Sequence, residues 1–371
     1  MKNTYILLLI NILAITMSQA QESKFNLIIG TYTNKCQSKG IYVYGFDSNT
    51  GDLNFKNSTE NILNPSYLCV SEDNQFVYSV GENDKKSTAS AFNFESKSGK
   101  INFINSESSK GQNGCYIIND DKNIIIANYS SGSISVFGKK SDGSIAEVKQ
   151  VVQHTGKSIN EKRQDAPHAH MVYFSPDKKY VLATDLGTDK VYVYKYDKNS
   201  ATTNLVLKST IDLKPGSGPR HLIFSKDGKQ VYVLQELDGT ITSFDYAKGV
   251  LKKGSETTVV ATDFKGDIGA ADIHISPDGK FLYATNRGDA NDISVFKIGK
   301  SGKLEFVQIT STLGKGPRNF AIDPSGNFLL VAHQYTNNIV IFKRDKSTGI
   351  LTDTGKKADL CSPVCLVFTK Q

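Results

Sequence analysis

The chain lacks several features that mark particular classes of protein. Its 371 residues include no Trp, three Met, nine Pro and five Cys, while 39% are hydrophobic and 22% are charged. This composition excludes a disordered chain and a multi-span membrane protein. The sequence also lacks a run of basic residues, because its formal charge of +7 is spread along its length. Nucleic acid is therefore not an expected partner, and small anionic ligands are favoured.

The first twenty residues have the pattern of a signal peptide. A short basic start precedes an apolar stretch from Tyr5 to Met17, and Ser18-Gln19-Ala20 offers small residues for cleavage. The stretch is too short and wrongly flanked for a stable membrane span; an N-terminal strand or anchor is the alternative. We therefore predict a cleaved signal peptide over 1–20, export to the periplasm, and a single domain over 21–371 that is not bound to the membrane.

An internal repeat organises the rest of the sequence. Its clearest copy runs from Ala271 to Phe296 and reads as strand, Pro-Asp-Gly turn, strand, polar loop and strand. The first turn residues of the six copies stand at positions 71, 119, 175, 225, 276 and 323. A period of about fifty residues with four strands in each unit is typical of a β-propeller.

The two ends of the chain complete one further unit. Residues 26–30 and 41–46 match the second and third strands of a blade that lacks its first strand, and residues 363–368 match the missing strand. The sequence thus predicts an all-β fold, a seven-bladed β-propeller closed by N- and C-terminal strands in one blade. Such closure leaves no sheet edge open.

The cysteines bear on this closure. Cys36 lies in a loop of the blade that Cys361 and Cys365 help to close, and we predict a disulfide between Cys36 and one of them. Cys69 and Cys115 lie in innermost strands and are expected to be buried free thiols.

Two positions of each blade are expected to meet at one mouth of the central channel. The first, just before the innermost strand, holds Ser66, Gly114, His170, Arg220, Ala271 and Arg318. The second, just after the next strand, holds Tyr32, Glu82, Tyr129, Leu186, Glu236, Arg287 and Gln334. Gln235, Asn286 and His333 stand one residue before the second position, and His168 stands two before His170.

Arginine marks this mouth of the channel. Of the 44 basic residues 39 are Lys and five are Arg, and three of the five Arg (220, 287 and 318) occupy these two positions. Because the guanidinium group binds carboxylate or phosphate through two parallel hydrogen bonds, we expect an anion or an oxyanion there. Alternatively, the charged residues only tie neighbouring blades together. His168-Ala-His170 could be half of a metal site, but no Cys or third clustered His completes it, so we expect no metal and no cofactor.

Several motifs together resemble a known family. In chain order they are Pro167-His-Ala-His170 with Asp185-Leu-Gly187, Gly218-Pro-Arg-His221, Gln235-Glu236, Asn286-Arg-Gly288 and Gly316-Pro-Arg-Asn-Phe320. The set resembles the seven-bladed lactonase family, the bacterial propeller-type 6-phosphogluconolactonases, and is also similar to the fungal carboxy-cis,cis-muconate cycloisomerases. The resemblance covers residues 26–368. It implies a metal-independent site of one His (168 or 170), Arg220, Glu236 and Arg287.

The resemblance implies hydrolysis of a small sugar-derived lactone by a monomeric enzyme. Glu236 or His170 would activate water and the arginines would hold the oxyanion. The register of the blades, and not the resemblance, suggests that Arg318, with a neighbour such as Lys315, holds a phosphate or carboxylate and that Gln235, Asn286 and His333 help to bind the substrate. A signal peptide does not suit the cytoplasmic route of 6-phosphogluconolactone, so a different or unphosphorylated lactone is expected.

Three alternatives remain open on the sequence. The chain could be an exported propeller that binds an acidic sugar without turning it over. It could be a lactonase or cycloisomerase acting on a different lactone. A calcium-dependent gluconolactonase of another propeller type would need a cluster of carboxylates and amides, whereas Arg and His dominate this mouth.

Overall fold

The computed structural model describes residues 23–60 and 62–371, so the predicted signal peptide lies outside the described residues. Within these ranges, 28 strands form seven four-stranded antiparallel sheets, and the only helical element is the 3-10 turn Lys300–Gly302. The described residues contain no helix with the length and apolar character needed to cross a bilayer. The predicted all-β, seven-bladed propeller is confirmed.

The strands are numbered in chain order. Blade 1 contains β1 (Lys24–Thr31), β2 (Ile41–Asp47), β3 (Asp52–Ser58) and β28 (Pro363–Lys370); blade 2 contains β4 (Leu68–Val70), β5 (Phe76–Gly81), β6 (Thr88–Glu95) and β7 (Lys100–Ser108); blade 3 contains β8 (Gly114–Asn119), β9 (Asn123–Asn128), β10 (Ser133–Lys139) and β11 (Ile145–Gln153). Blade 4 contains β12 (Ala169–Phe174), β13 (Tyr180–Asp185), β14 (Lys190–Tyr196) and β15 (Leu205–Asp212); blade 5 contains β16 (Pro219–Phe224), β17 (Gln230–Gln235), β18 (Thr240–Ala247) and β19 (Val250–Thr258). Blade 6 contains β20 (Ala270–Ile275), β21 (Phe281–Asn286), β22 (Asp292–Ile298) and β23 (Leu304–Ser311); blade 7 contains β24 (Pro317–Ile322), β25 (Phe328–His333), β26 (Asn338–Arg344) and β27 (Leu351–Asp359).

Both ends of the chain close the ring, as predicted. The C-terminal strand β28 pairs antiparallel with β1 and is the innermost strand of blade 1. A disulfide joins Cys36 to Cys361 beside this pairing, with the two Cα atoms 6.0 Å apart, which confirms the predicted link. Cys365 is a buried free thiol, as is Cys115, whereas the free Cys69 is only half-buried.

The hairpin that joins the two innermost strands is built by a serine and an aspartate. In blade 4, Ser175 Oγ donates to Asp177 Oδ1 at 2.6 Å and accepts from the amide of Tyr180 at 3.0 Å. The same two bonds recur in blades 2, 5 and 6. The turn ends in a residue with left-handed backbone conformation, with φ of 69° at Gly228 and 77° at Gly279. Glycine adopts this conformation without steric cost.

The apolar faces of the strands pack between neighbouring blades. Leu27 and Ile29 of blade 1, for example, lie in one fully buried cluster with Leu330 and Ala332 of blade 7. Each blade therefore buries both faces of its inner strands against its two neighbours, while outermost strands such as β19 and β27 are largely exposed.

A β-bulge interrupts the start of the innermost strand in blade 1, at Val364, and in blades 3 to 7. The register with the second strand shifts at Cys115, His170, Arg220, Ala271–Asp272 and Arg318. Because a bulge re-aims the side chain that it carries, these residues do not follow the inside–outside alternation of their strands. The mouth of the channel at which these bulges lie is called the upper mouth below.

Blade 3 differs from the sequence alignment by one residue. Its hairpin is shorter, because the amide of Asp120 donates to the carbonyl of Asn123, whereas in blade 4 the amide of Ser175 reaches Tyr180. The turn of blade 3 thus begins at Asp120, and Cys115 takes the position that the alignment gives to Gly114.

Candidate active site

In every blade, one backbone hydrogen bond joins the second predicted position to the residue that stands two before the first position. The amide of Glu236 donates to the carbonyl of Gly218 at 2.7 Å, and the amide of Arg287 donates to that of Gly269 at 3.0 Å. The equivalent bonds run from Tyr32 to Ser362, Glu82 to Asn64, Tyr129 to Asn113, Leu186 to His168 and Gln334 to Gly316. Each carbonyl lies two residues before the first position, so the two sets of side chains meet at the upper mouth.

Glu236 is the centre of the charged cluster at this mouth. Its Oε2 lies 3.0 Å from Arg220 Nε and 2.9 Å from Arg287 Nη2, and its Oε1 accepts from Arg163 Nη2 at 2.7 Å. Backbone carbonyls also hold two of these groups: Arg220 Nη1 donates to Ala271, and Arg287 Nε donates to Gly269 at 3.0 Å. The cluster therefore presents three guanidinium groups around one carboxylate.

The positive charges control the protonation of this cluster. Burial alone would raise the pKa of the Glu236 carboxyl, but the three guanidinium groups around it lower the pKa to about 2. Glu236 is therefore ionised at neutral pH with both of its oxygens engaged. This makes it a weak base and a firm anchor for the arginines.

His170 lies beside the cluster with one ring nitrogen free. Its Nε2 has no hydrogen-bond partner within the part of the chain that the structure describes, and its Nδ1 is 4.0 Å from the Sγ of Cys115. Burial, and after it the positive charge of Arg220, holds the pKa of His170 well below 6.5. The imidazole is consequently neutral at pH 7 and able to accept a proton.

His168 is held differently. Its ring stacks on Tyr129, with the centroids 4.4 Å apart and the planes 8° from parallel, and its Nδ1–H donates to the Tyr129 carbonyl at 3.1 Å. The edge of the Tyr129 ring also faces His170 at 5.6 Å. His168 thus fixes the wall of the site, with its Nε2 3.8 Å from Asp165 Oδ1, whereas the Nε2 of His170 has neither a hydrogen bond nor an ion pair among the described residues.

Arg318 carries a charge that no ion pair neutralises among the described residues. Its guanidinium carbon lies 5.5 Å from the centre of the Tyr32 ring. The neighbouring carboxylate, Glu82, instead accepts from the hydroxyl of Tyr32 at 2.9 Å and from the hydroxyl of Ser66. Arg318 is therefore available to an anionic ligand.

Arg163 belongs to the cluster although the sequence analysis did not assign it. It lies in the connection between β11 and β12, outside the repeat, so no alignment of blades could place it. The signals present in the sequence were its rarity, as one of five Arg, and its position five residues before His168. Four of the five arginines thus lie at the upper mouth. The fifth, Arg344, is buried at the end of β26 and pairs with Asp278 of blade 6.

Three predicted substrate-binding residues are not brought into the cluster. Gln235, Asn286 and His333 are the last residues of their strands and are fully buried. The Gln235 amide bonds to Thr242 of the neighbouring strand, and the Asn286 carbonyl oxygen accepts from the amide of Gly269. They point to the opposite side from the next residue in the chain, because strand side chains alternate.

A buried aspartate supports Arg220 from below. Asp272 accepts from His221 Nδ1 at 2.8 Å, from His274 Nε2 at 2.9 Å and from Asn319 Nδ2 at 2.6 Å. The Nη1 of Arg220 lies over the His221 ring, 3.2 Å from its Nε2. Asp272 thereby links blades 5, 6 and 7 beneath the arginine cluster.

A cavity of about 430 Å³ opens beside Tyr32, the ring against which Arg318 lies. Tyr32, Asn34, Glu82, Asn83, Asn113 and Gln334 are among the residues that line it. A cavity of about 550 Å³ opens toward the opposite mouth, where the innermost strands end; His274 and Asn319 line it, but none of the arginines does. Among the described residues no group of three His, Cys, Asp or Glu side chains is arranged to hold a metal ion.

The sequence matches the family described as "Lactonase, 7-bladed beta-propeller" over residues 26–368. The chain is 34% identical to the 6-phosphogluconolactonase of Bacillus subtilis (strain 168), in a match that spans 94% of this chain and 99% of the relative. It is 38% identical to the 6-phosphogluconolactonase of Formosa agariphila, over 88% of this chain and 94% of the relative.

A solved structure supports the same family assignment. The Pseudomonas aeruginosa periplasmic gluconolactonase superposes on this chain with a TM-score of 0.89 at 36% identity, over 93% of this chain and 99% of that one. The resemblance drawn from the motifs is thus confirmed along nearly the whole chain. By its sequence match, its seven blades and its arginine-rich upper mouth, the chain belongs to the seven-bladed β-propeller lactonase family.

Proposed function

We propose that this protein is a lactonase that opens the ring of a small sugar-derived lactone at the upper mouth. The observation that carries the proposal is the unengaged Nε2 of a neutral His170 beside three guanidinium groups that share Glu236. Relatives with 34–38% identity are 6-phosphogluconolactonases, and a structural neighbour is a periplasmic gluconolactonase.

His170 acts as the base in this proposal. Its Nε2 takes a proton from water as the water oxygen attacks the lactone carbonyl, and Arg220 and Arg287 donate hydrogen bonds to the resulting oxyanion. The tetrahedral intermediate then collapses, the bond from carbonyl carbon to ring oxygen breaks, and His170 returns the proton to that oxygen. The product is an open-chain hydroxy acid. No metal enters these steps.

Glu236 and Arg318 have supporting roles. Glu236 holds the guanidinium groups in place before the substrate arrives, so that little reorganisation accompanies the formation of charge. Arg318 receives an anionic or electron-rich part of the substrate, with the cavity lined by Tyr32 and Glu82 next to it. We further propose that the mature chain from Gln21 works in the periplasm on an unphosphorylated lactone.

The test is turnover by the mature protein in the presence of EDTA. Proton release would be followed on glucono-lactone and on its 6-phosphate, each corrected for spontaneous hydrolysis. We expect His170→Gln to lower kcat by about 10²–10⁴, the usual contribution of a positioned base. The matched variant His168→Gln should retain most of the turnover.

Three results would contradict the proposal. Loss of turnover in EDTA would favour a calcium-dependent enzyme. Equal losses in His168→Gln and His170→Gln would remove His170 from the role of base. Binding of sugar acids without turnover of either lactone would favour the binding module.

A further inference from the structure

Arg163 lies on an unusual part of the propeller. The connection from β11 to β12, residues 154–168, is the longest of the seven segments that join one blade to the next. Its backbone is fixed beneath Arg163. The side chain of the fully buried Gln164 donates to the carbonyl of Leu186 at 2.8 Å, and its Oε1 accepts from the amide of Asn160 at 3.2 Å. The segment thus holds Arg163 above the arginine cluster.

The guanidinium of Arg163 is held less firmly than its neighbours. The side chains of Arg220 and Arg287 are 2% and 14% exposed, and each also donates to a backbone carbonyl. The Arg163 side chain is 42% exposed, and its hydrogen bonds are to Glu236 at 2.7 Å and to the Tyr129 hydroxyl at 3.4 Å. Because it is already partly hydrated, Arg163 can leave Glu236 at the lowest cost of the three.

Movement of Arg163 away from Glu236 would bring its charge to the reacting part of the substrate. Arg163 donates to the hydroxyl of Tyr129, whose ring stacks on His168 and lies 5.6 Å from the His170 ring, so one aromatic side chain lies between its guanidinium and the proposed base. A lactone carbonyl oxygen gains negative charge in the tetrahedral intermediate and keeps it in the carboxylate of the open-chain acid. If Arg163 moves to this oxygen, Oε1 of Glu236 becomes free to accept from a sugar hydroxyl.

We propose that Arg163 is a substrate-contacting residue, which exchanges its ion pair with Glu236 for the carboxylate of the ring-opened sugar acid. This role deepens the proposed function and rests on it, since it places the reacting oxygen within reach of the β11–β12 connection. Arg163 then gives the site its preference for sugar acids over neutral sugars of the same size.

The experiment measures binding, so that it does not depend on turnover. Gluconate and the neutral glucitol would be titrated into the mature protein by calorimetry, with the variants Arg163→Gln, Arg163→Lys and Lys162→Gln. We expect Arg163→Gln to weaken gluconate binding by about tenfold or more, because a charge-assisted bidentate contact is lost. Arg163→Lys should recover part of that loss, and the exposed neighbour Lys162→Gln should bind as the parent does. Glucitol binding should not distinguish the proteins.

The outcomes separate this inference from the proposed function. Selective weakening of gluconate binding in Arg163→Gln supports the inference even where neither lactone is turned over. Gluconate binding that is undetectable in the parent, unchanged in Arg163→Gln, or equally weakened in Lys162→Gln overturns it, whether or not lactones are hydrolysed. Melting temperatures of the four proteins should agree, which excludes loss of folding as the cause.

Discussion

At the scale of single residues, the site gathers the rarest basic residue of the chain. Four of five Arg lie at the upper mouth, and three of these surround one carboxylate. Ion pairs that only tie neighbouring blades together do not fully explain the charged residues at the upper mouth. Arg318 has no such partner among the described residues, and His170 has a free ring nitrogen. Groups left unpaired beside a dense positive charge are what an anionic transition state requires.

The charge around His170 leads to a prediction for the pH dependence. A base must be deprotonated to act, so activity is lost as the pH falls through its pKa. Because burial and the nearby positive charges hold the pKa of His170 well below 6.5, we expect kcat/KM to stay constant from pH 8 to 6.5 and to fall only at more acidic pH. The measurement is the pH profile of kcat/KM after subtraction of spontaneous hydrolysis.

The substitution Arg318→Gln tests whether nearby positive charge lowers the pKa of His170. Arg318→Gln removes one of the positive charges that lower the pKa of His170, so the acidic fall should move toward higher pH. A profile of the parent protein centred at or above pH 6.5, or one that Arg318→Gln leaves in place, would contradict the assignment of His170 as the base.

The sequence predicted five residues of this mouth because they obey the repeat. His170, Arg220 and Arg318 share one register, and Glu236 and Arg287 share the other. Arg163 could not be found in this way, since its connection has no counterpart in other blades. The closeness of Gln235, Asn286 and His333 to the second position predicts that they bind substrate, but one step along a strand turns a side chain to the opposite side.

At the scale of strands and turns, the sequence showed the hairpins but not the bulges. A Ser-x-Asp turn has a composition that can be recognised, whereas a bulge is a shift of hydrogen bonds between two strands and has no residue signature of its own. The shortened hairpin of blade 3 shows the limit: its turn has two residues fewer than that of blade 4, and the first position is Cys115 instead of Gly114.

The bulge in β20 supports a prediction about stability. It lets Asp272 accept from His221 of β16 and Asn319 of β24, so one fully buried carboxylate joins three innermost strands. Burial alone would raise the pKa of Asp272, but its histidine neighbours hold it well below 3.8. We expect Asp272→Ala to lower the free energy of unfolding by about 3–5 kcal/mol, as when one partner of a buried ion pair is removed, measured by urea denaturation.

A surface aspartate provides the control. Asp227 lies in the hairpin of blade 5 with an exposed side chain, so Asp227→Ala should cost far less than Asp272→Ala. Asp272→Asn keeps the shape of the side chain and should fold, but kcat should fall because the support of His221 under Arg220 is weakened. Equal stabilities of Asp272→Ala and Asp227→Ala would show that the buried carboxylate is not a structural link.

At the scale of the whole molecule, closure of the ring places the site. Seven blades bring seven pairs of positions to one mouth, and residues separated by 148 positions, such as His170 and Arg318, face one channel. A propeller can vary the residues at these positions without changing its core, because they lie in bulges and strand ends. The fold alone therefore does not determine the substrate, and we expect the side chains at the upper mouth to select it.

The disulfide adds a covalent link to this closure, and its contribution can be measured. Cys36 and Cys361 are 325 positions apart, so the bond restrains nearly the whole unfolded chain. We expect Cys36→Ser to lower the free energy of unfolding by about 2–4 kcal/mol, the typical effect of a native disulfide. Cys69→Ser, which removes a free thiol, is the matched control. Mass spectrometry of the parent protein under non-reducing conditions should find the peptides of Cys36 and Cys361 joined. If the two serine variants unfold at the same urea concentration, then hydrogen bonding between β1 and β28 closes the ring without help from the disulfide.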